Sequence, residues 1–171
     1  MKKIFFLAVL IAMALLSACT PIQPNNPARI ATDFSATAVV KTNEIIECTI
    51  SHTAQGVSTM SITKPERIKD LKFTWKSGEY TIEWGELACK SEYPYFPDES
   101  FPNQIINVLD SISDIEALKL DNTNDEVNLF IGETENSDFT VTVDNKTDLI
   151  KQIKIDNGKI NVEFSDVKEF L

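Results

Sequence analysis

Four side chains in this 171-residue sequence can do chemistry near neutral pH: Cys19, Cys48, Cys89 and His52. Cys19 has the most telling surroundings. Lys2 and Lys3 open the chain, an unbroken apolar run of 13 residues extends from Ile4 to Leu16, and Ser17 and Ala18 precede the cysteine. A charged start, an apolar middle and a small-residue cut site make a secretory signal. The run is too short for a hydrocarbon core that needs about 20 residues, and no charged stop-transfer segment follows. His52 is the only histidine, and no sequence-near serine or cysteine arrangement marks it as a base. It reads as a strand residue near a hairpin end. With one histidine and no Cys-x-x-Cys spacing, no metal site is expected.

The carboxylates give no sharper signal. Asp98-Glu99 and Asp125-Glu126 sit in polar stretches and read as solvated surface. A glycosidase pair is set by spatial separation, so sequence spacing neither finds nor removes one. Asp121 to Glu126 is not a calcium loop, because Thr123 takes the third ligand position and the central glycine is absent. Five glycines in the whole chain form no phosphate-cradling loop. Asn145-Lys146-Thr147 fits a glycosylation sequon and reads as a loop. No catalytic residue, no enzymatic activity and no cofactor are expected.

Leu16-Ser17-Ala18-Cys19 resembles the lipobox of bacterial lipoprotein signals. That resemblance implies removal of residues 1–18, a diacylglycerol joined to the Cys19 thiol, and acyl chains such as palmitate on the new terminus. Burial of acyl chain is worth about 0.8 kcal/mol per CH₂, and stable attachment takes two chains, which a diacylglyceryl cysteine supplies. The implied location is extracytoplasmic, anchored to the cell membrane, or to an outer membrane if the source is diderm. Thr20 is not the aspartate linked to inner-membrane retention.

The mature chain would hold 153 residues, enough for one domain with its own core. Without Lys2 and Lys3 it carries 14 basic and 26 acidic residues, a net charge of −12 against −10 for the precursor. That argues against nucleic acid, whose affinity comes from Lys and Arg on phosphates, and against lying flat on an anionic membrane. An acidic surface keeps such a domain dispersed. Cys48 and Cys89 both fall in apparent strands. The compartment permits a bond between them, and buried free cysteine is also common.

Residues 19–33, with prolines at 21, 24 and 27, form a tether. At roughly 3 Å per residue its stretch from Thr20 to Thr32 reaches up to about 40 Å. From Phe34 the apolar period becomes two: Phe34, Ala36, Ala38 and Val40, then Ile46, Cys48 and Ile50, then a return over Val57 to Thr63. Leu71, Phe73 and Trp75 alternate with polar residues, as do Tyr80, Ile82 and Trp84. Such alternation marks half-buried strands, and the short Gly-containing links suggest antiparallel hairpins. Val127 to Ile131, Phe139 to Val143, and Ile153-Ile155 with Ile160 to Phe164 continue the theme. Asn157-Gly158 is the strongest hairpin signal. Only 102–113 breaks the pattern: Pro102 suits a first turn, and Ile105, Ile106, Leu109 and Ile112 share one helical face. Pro65-Glu66-Arg67 could start a shorter helical turn. Residues 93–101, with Tyr93, Tyr95, Phe96 and Phe101, read as a flap. The expected fold is mainly β (α+β). It is a strongly curved antiparallel sheet, or half-open β-barrel, of about eight strands with one or two short helices packed inside, as a single domain over 34–171.

This order resembles the LolA-like superfamily of outer-membrane lipoprotein carriers. The resemblance lies in Phe34-Ser35-Ala36 opening the first strand, in Ile62-Thr63-Lys64-Pro65-Glu66-Arg67-Ile68 leading to Leu71-Lys72-Phe73, and in Trp75-Lys76-Ser77-Gly78-Glu79-Tyr80. The chain is also similar to small lipoproteins of Firmicutes-type bacteria, which end in a hairpin and a motif like Val162-Glu163-Phe164-Ser165-Asp166. The superfamily implies a half-barrel closed by helices over a hydrophobic cavity. Met60, Ile62, Phe73, Trp75, Tyr80, Ile82 and Trp84 are the candidate lining, either filling a core under the helix or facing acyl chains or a lipopeptide. A lipobox sets this chain apart from soluble carriers, favouring local capture over shuttling. Two other readings stay open: an envelope protein-interaction or sensor module, resembling anti-sigma-factor regulators of the same fold, and a hydrolase with a hidden carboxylate pair.

Overall fold

A computed structural model describes residues 28–76, 78–91, 100–157 and 159–170. The signal 1–18, Cys19, the tether up to residue 27, Glu92 and residues 93–99 of the expected flap lie outside the described residues. Strands β1 (Phe34–Lys41), β2 (Ile45–Thr53), β3 (Val57–Lys64), β4 (Lys72–Lys76), β5 (Glu79–Trp84) and β6 (Leu87–Ser91) come first. Helix α1 (Phe101–Ile112) follows, then β7 (Lys119–Thr123), β8 (Val127–Glu133), β9 (Asp138–Asp144), β10 (Ile150–Ile155) and β11 (Ile160–Glu169).

All eleven strands belong to one antiparallel sheet in the order β6-β5-β4-β3-β2-β1-β11-β10-β9-β8-β7. Each neighbouring pair is consecutive in sequence except β1 and β11, which zip two meanders together at the centre. The edges β6 and β7 do not pair with each other, so the sheet is unclosed. The link between those two edges carries α1, a rod of about 18 Å, across the apolar face. Alternation is the reason these segments are strands: β1 buries Phe34, Ala36, Ala38 and Val40 and turns Ser35, Thr37 and Val39 outward. The same face of β2, β3, β9 and β10 meets Ile105, Ile106, Val108, Leu109 and Ile112 of α1 in one core. Pro102 sits in the first turn of α1, where a missing N–H costs nothing.

Eleven strands replace the expected eight or so, because the edges carry no buried face. Every residue of β7 is exposed, and Asp121 to Thr123, expected in a loop, belong to it. Its pairing holds it in place, Lys119 opposite Ile131 and Leu120 opposite Phe130. Likewise β6 has no buried residue and is held by β5. Among the described residues one α-helix packs inside, within the expected one or two; the 3-10 turn Glu66–Ile68 buries none of its residues.

Candidate functional site

The strand register decides which of the seven candidate residues meet. Phe73 stands opposite Met60 on one side and Ile82 on the other; Trp75 stands opposite Ser58 and Tyr80. The rings of Phe73 and Trp75 lie 5.8 Å apart, and Tyr80 meets Trp75 edge-on at 6.1 Å, geometry that aromatic pairs favour. Met60, Ile62, Phe73 and Trp75 are buried, Tyr80 and Ile82 half-buried, and Trp84 is 52% exposed. Exposure therefore rises toward the β6 edge. There Trp84 pairs with Leu87, itself 73% exposed, and Ile82 pairs with exposed Cys89. Trp84 Nε1 donates to the Lys69 carbonyl at 3.0 Å, which fixes the indole. Sequence reasoning misses Leu87 and Cys89 as members of this surface. The alternation that marks a site residue needs a buried face, and β6 lacks one.

None of the seven candidates lines any of three clefts found on the described surface. A cleft of about 550 Å³ lies between α1 and the β8–β9 turn, lined by Asn107, Asp110, Ser111, Glu133, Thr134, Glu135 and Asn136. Burial pushes the Asp110 carboxyl up from its ordinary range. Among the described residues no group of three or more His, Cys, Asp or Glu side chains is placed to hold a metal ion. A second cleft of about 240 Å³ lies where residues 29–33 meet Thr147, Asp148 and Glu169. The third, of about 280 Å³, opens on the convex face.

His52 is fully buried, under the ring of Phe34. Its Nε2 lies 3.2 Å from Ser113 Oγ, and its Nδ1 lies 2.7 Å from Ser58 Oγ. The Ser113 hydroxyl donates to the Leu109 carbonyl at 3.3 Å. It must therefore accept from His52 Nε2–H, which leaves Nδ1 to accept from Ser58. Desolvation lowers the imidazole to about 4, against a weaker upward pull from Asp33. A neutral ring that donates to Ser113 does not withdraw that serine's proton. The chain of bonds instead ties the end of α1 to β2 and β3.

Cys48 and Cys89 are both free. Three strands separate β2 from β6. Four inter-strand spacings of about 4.8 Å far exceed the roughly 4.4–6.8 Å between Cα atoms that a disulfide spans. Burial pushes the Cys48 thiol up to about 12.

No protein-family model matches the chain, and no curated protein matches it. Solved structures do. The chain is similar to an uncharacterized conserved protein from Thermus thermophilus, at 10% identity and a TM-score of 0.52 over 82% of this chain and 80% of that one. It is also similar to a LolA superfamily protein from Nitrosomonas europaea, at 8% identity and a TM-score of 0.45, over 84% of this chain and 89% of that one. A third likeness is to a putative outer membrane lipoprotein-sorting protein domain from Vibrio parahaemolyticus, at 8% identity and a TM-score of 0.39, over 83% and 87%. The likeness is one of fold alone. An unclosed antiparallel sheet with a helix packed inside is what the sequence resemblance implied.

In this sheet the candidate residues form a continuous apolar surface rather than a reactive centre. Its buried end, at Met60 and Phe73, belongs to the core. Its open end, at Ile82, Trp84 and Leu87, is exposed at the β5–β6 edge, while the Lys72–Glu83 and Lys90–Glu79 ion pairs, at 2.9 and 3.0 Å, lie on the opposite face of the same strands. Such a surface can bury an apolar group.

Proposed function

We propose that this chain is a membrane-anchored extracytoplasmic lipoprotein whose LolA-like domain binds a hydrophobic ligand, the acyl chain of a lipid or lipoprotein, without catalysis. One observation carries the reading: the apolar face does not end with the core but runs out through Ile82 to exposed Trp84 and Leu87. Acyl carbons laid along that strip would gain about 0.8 kcal/mol per buried CH₂. The anchor at Cys19 would hold the domain near its ligand's source. No cofactor enters this function.

A second reading is favoured by a different fact. Met60, Ile62, Phe73 and Trp75 are at most 7% exposed, so this part of the concave face is filled. A filled core suits an envelope protein-interaction or sensor module, with Trp84 and Leu87 as its contact.

The test is native mass spectrometry and fluorescent fatty-acid uptake on the chain from residue 19 with Cys19→Ser. Lipid binding is expected, and Trp84→Ser and Leu87→Ser should weaken it at least tenfold. If no lipid co-purifies or enters, while crosslinking at Leu87 in cells traps one protein, the second reading replaces the first.

A further inference from the structure

The convex face of a half-buried sheet is ordinarily a solvated surface of paired charges and β-branched residues. Much of this one is: Lys41 pairs with Glu163, Lys72 with Glu83 and Lys90 with Glu79. The cleft of about 280 Å³ over β1, β2, β3 and β11 differs. Ser35 stands opposite Ser51, Ser51 opposite Thr59, and Thr37 opposite Thr49, so five hydroxyl side chains occupy adjoining positions. All five line the cleft, and none has a side-chain hydrogen bond to another described residue. Asp166 and Lys168 close its β11 side, and neither has an ion-pair partner among the described residues.

A backbone irregularity makes the room. Ser35 pairs with Lys168 but Thr37 pairs with Ser165, so β11 carries one extra residue at this point. Asp166, in that extra stretch, sits at φ 51°, a left-handed conformation that aspartate tolerates better than most residues. A bulge bends its strand and re-aims its side chains. Here it brings a carboxylate and an ammonium to the rim of a hydroxyl-lined floor.

The lining selects a chemical class. Serine and threonine hydroxyls both donate and accept, a carboxylate accepts from two neighbouring hydroxyls, and an ammonium donates. The methyls of Thr37, Thr49 and Thr59 supply apolar contact between those groups. A single cation beside a carboxylate on a chain of net charge −10 disfavours phosphate and other anions. The volume lies just under the usual range of about 300–1,000 Å³ for ligand sites, which suits one ring-sized ligand. We propose that this notch is a carbohydrate site that takes a neutral sugar ring with vicinal hydroxyls, free or as a unit of an envelope polysaccharide. Asp166 accepts from two sugar hydroxyls, Lys168 donates to a third, and the five hydroxyls complete the set. The site lies on the face opposite Trp84 and Leu87 and is independent of the hydrophobic-ligand reading.

Saturation-transfer NMR on the full chain in dodecylphosphocholine micelles tests it, with glucose, N-acetylglucosamine and their β-1,4-linked tetramers as probes. Transfer to at least one sugar at millimolar concentration is expected. Asp166→Asn, which keeps the backbone conformation accessible, and the shape-conserving double variant Thr49→Val/Thr59→Val should each reduce binding at least tenfold. Trp84→Ser should leave it unchanged. A tetramer bound at least tenfold tighter than its monomer identifies a polysaccharide as the source; equal affinities identify a free sugar. Transfer to none of the four probes overturns the proposal. So does transfer that persists in both variants while their circular dichroism matches the parent chain.

Discussion

Phe139 lies across Gly132, its partner in the β8–β9 ladder, so closely that a Cβ on Gly132 would overlap the ring. The same Cβ would stand 2.6 Å from Leu118 Cδ2. Gly132 has no side chain because the ring takes its place. Gly132→Ala should cost about 1–3 kcal/mol, the usual penalty for overpacking, read from urea unfolding. Phe139→Leu should recover part of that loss in the Gly132→Ala background while costing stability by itself. Simple additivity of the two would mean that the contact is not the cause.

His52 sets a pH window. Its unfolded value is near 6.5 and its folded value about 4, so between those limits the unfolded chain binds a proton that the native chain refuses. Stability should therefore fall as pH drops from about 6.5 to about 4, by on the order of 3 kcal/mol at the lower end. Asp33 and Asp110, the latter 4.0 Å from Nδ1, face the ring and favour its proton. Asp144 and Glu163 act in a lower window. Lys151 and Lys41 hold these carboxylates below their ordinary range, so their contribution survives down to the ordinary carboxylate range and fades beneath it. Urea midpoints at several pH values should slope between 6.5 and 4 in the parent chain and flatten in His52→Gln. An unchanged slope in the variant would assign the effect elsewhere.

The sequence made some of this visible and hid the rest for physical reasons. Phe34, Ala36, Ala38 and Val40 announce a strand because one face of β1 meets the core. Ile105, Ile106, Leu109 and Ile112 announce α1 for the same reason. β7 announces nothing, since no residue in it is buried. Trp84 shares the period of Tyr80 and Ile82, but period does not tell the centre of a sheet from its edge. The contact from His52 to Ser113 spans 61 residues and depends on where α1 ends against β2. The convex notch depends on a bulge between β1 and β11, a pairing of the first strand with the last that no local pattern encodes.

Cys48 and Cys89 should behave as different thiols. Cys89 is exposed on β6, whereas Cys48 is buried in β2 and its thiol is pushed up to about 12. The thiolate is the reactive form, so a maleimide added to the native chain should mark Cys89 within minutes and leave Cys48 unmarked until unfolding. Peptide mapping by mass spectrometry reads the outcome. Label on Cys48 at low denaturant would mean that β2 opens locally, well below the global unfolding free energy.

Cys19 carries the anchoring reading, and its test does not depend on the folded domain. If the thiol takes diacylglycerol, cells expressing the chain and fed an alkyne fatty acid should yield a labelled protein of the mass expected from residue 19 onward. Cys19→Ser, expressed behind an ordinary cleavable signal in place of residues 1–18, should abolish that label and release the chain. Membrane fractions should then lose the protein, because what remains is a domain of net charge −12, repelled by anionic lipid. Within the described residues no helix is long and apolar enough to cross a bilayer in its place. Retention of the serine variant in carbonate-washed membranes would sink the anchor. Attachment would then have to run through Trp84, Leu87 or a protein partner, which Leu87→Ser would separate by releasing the chain in the first case alone.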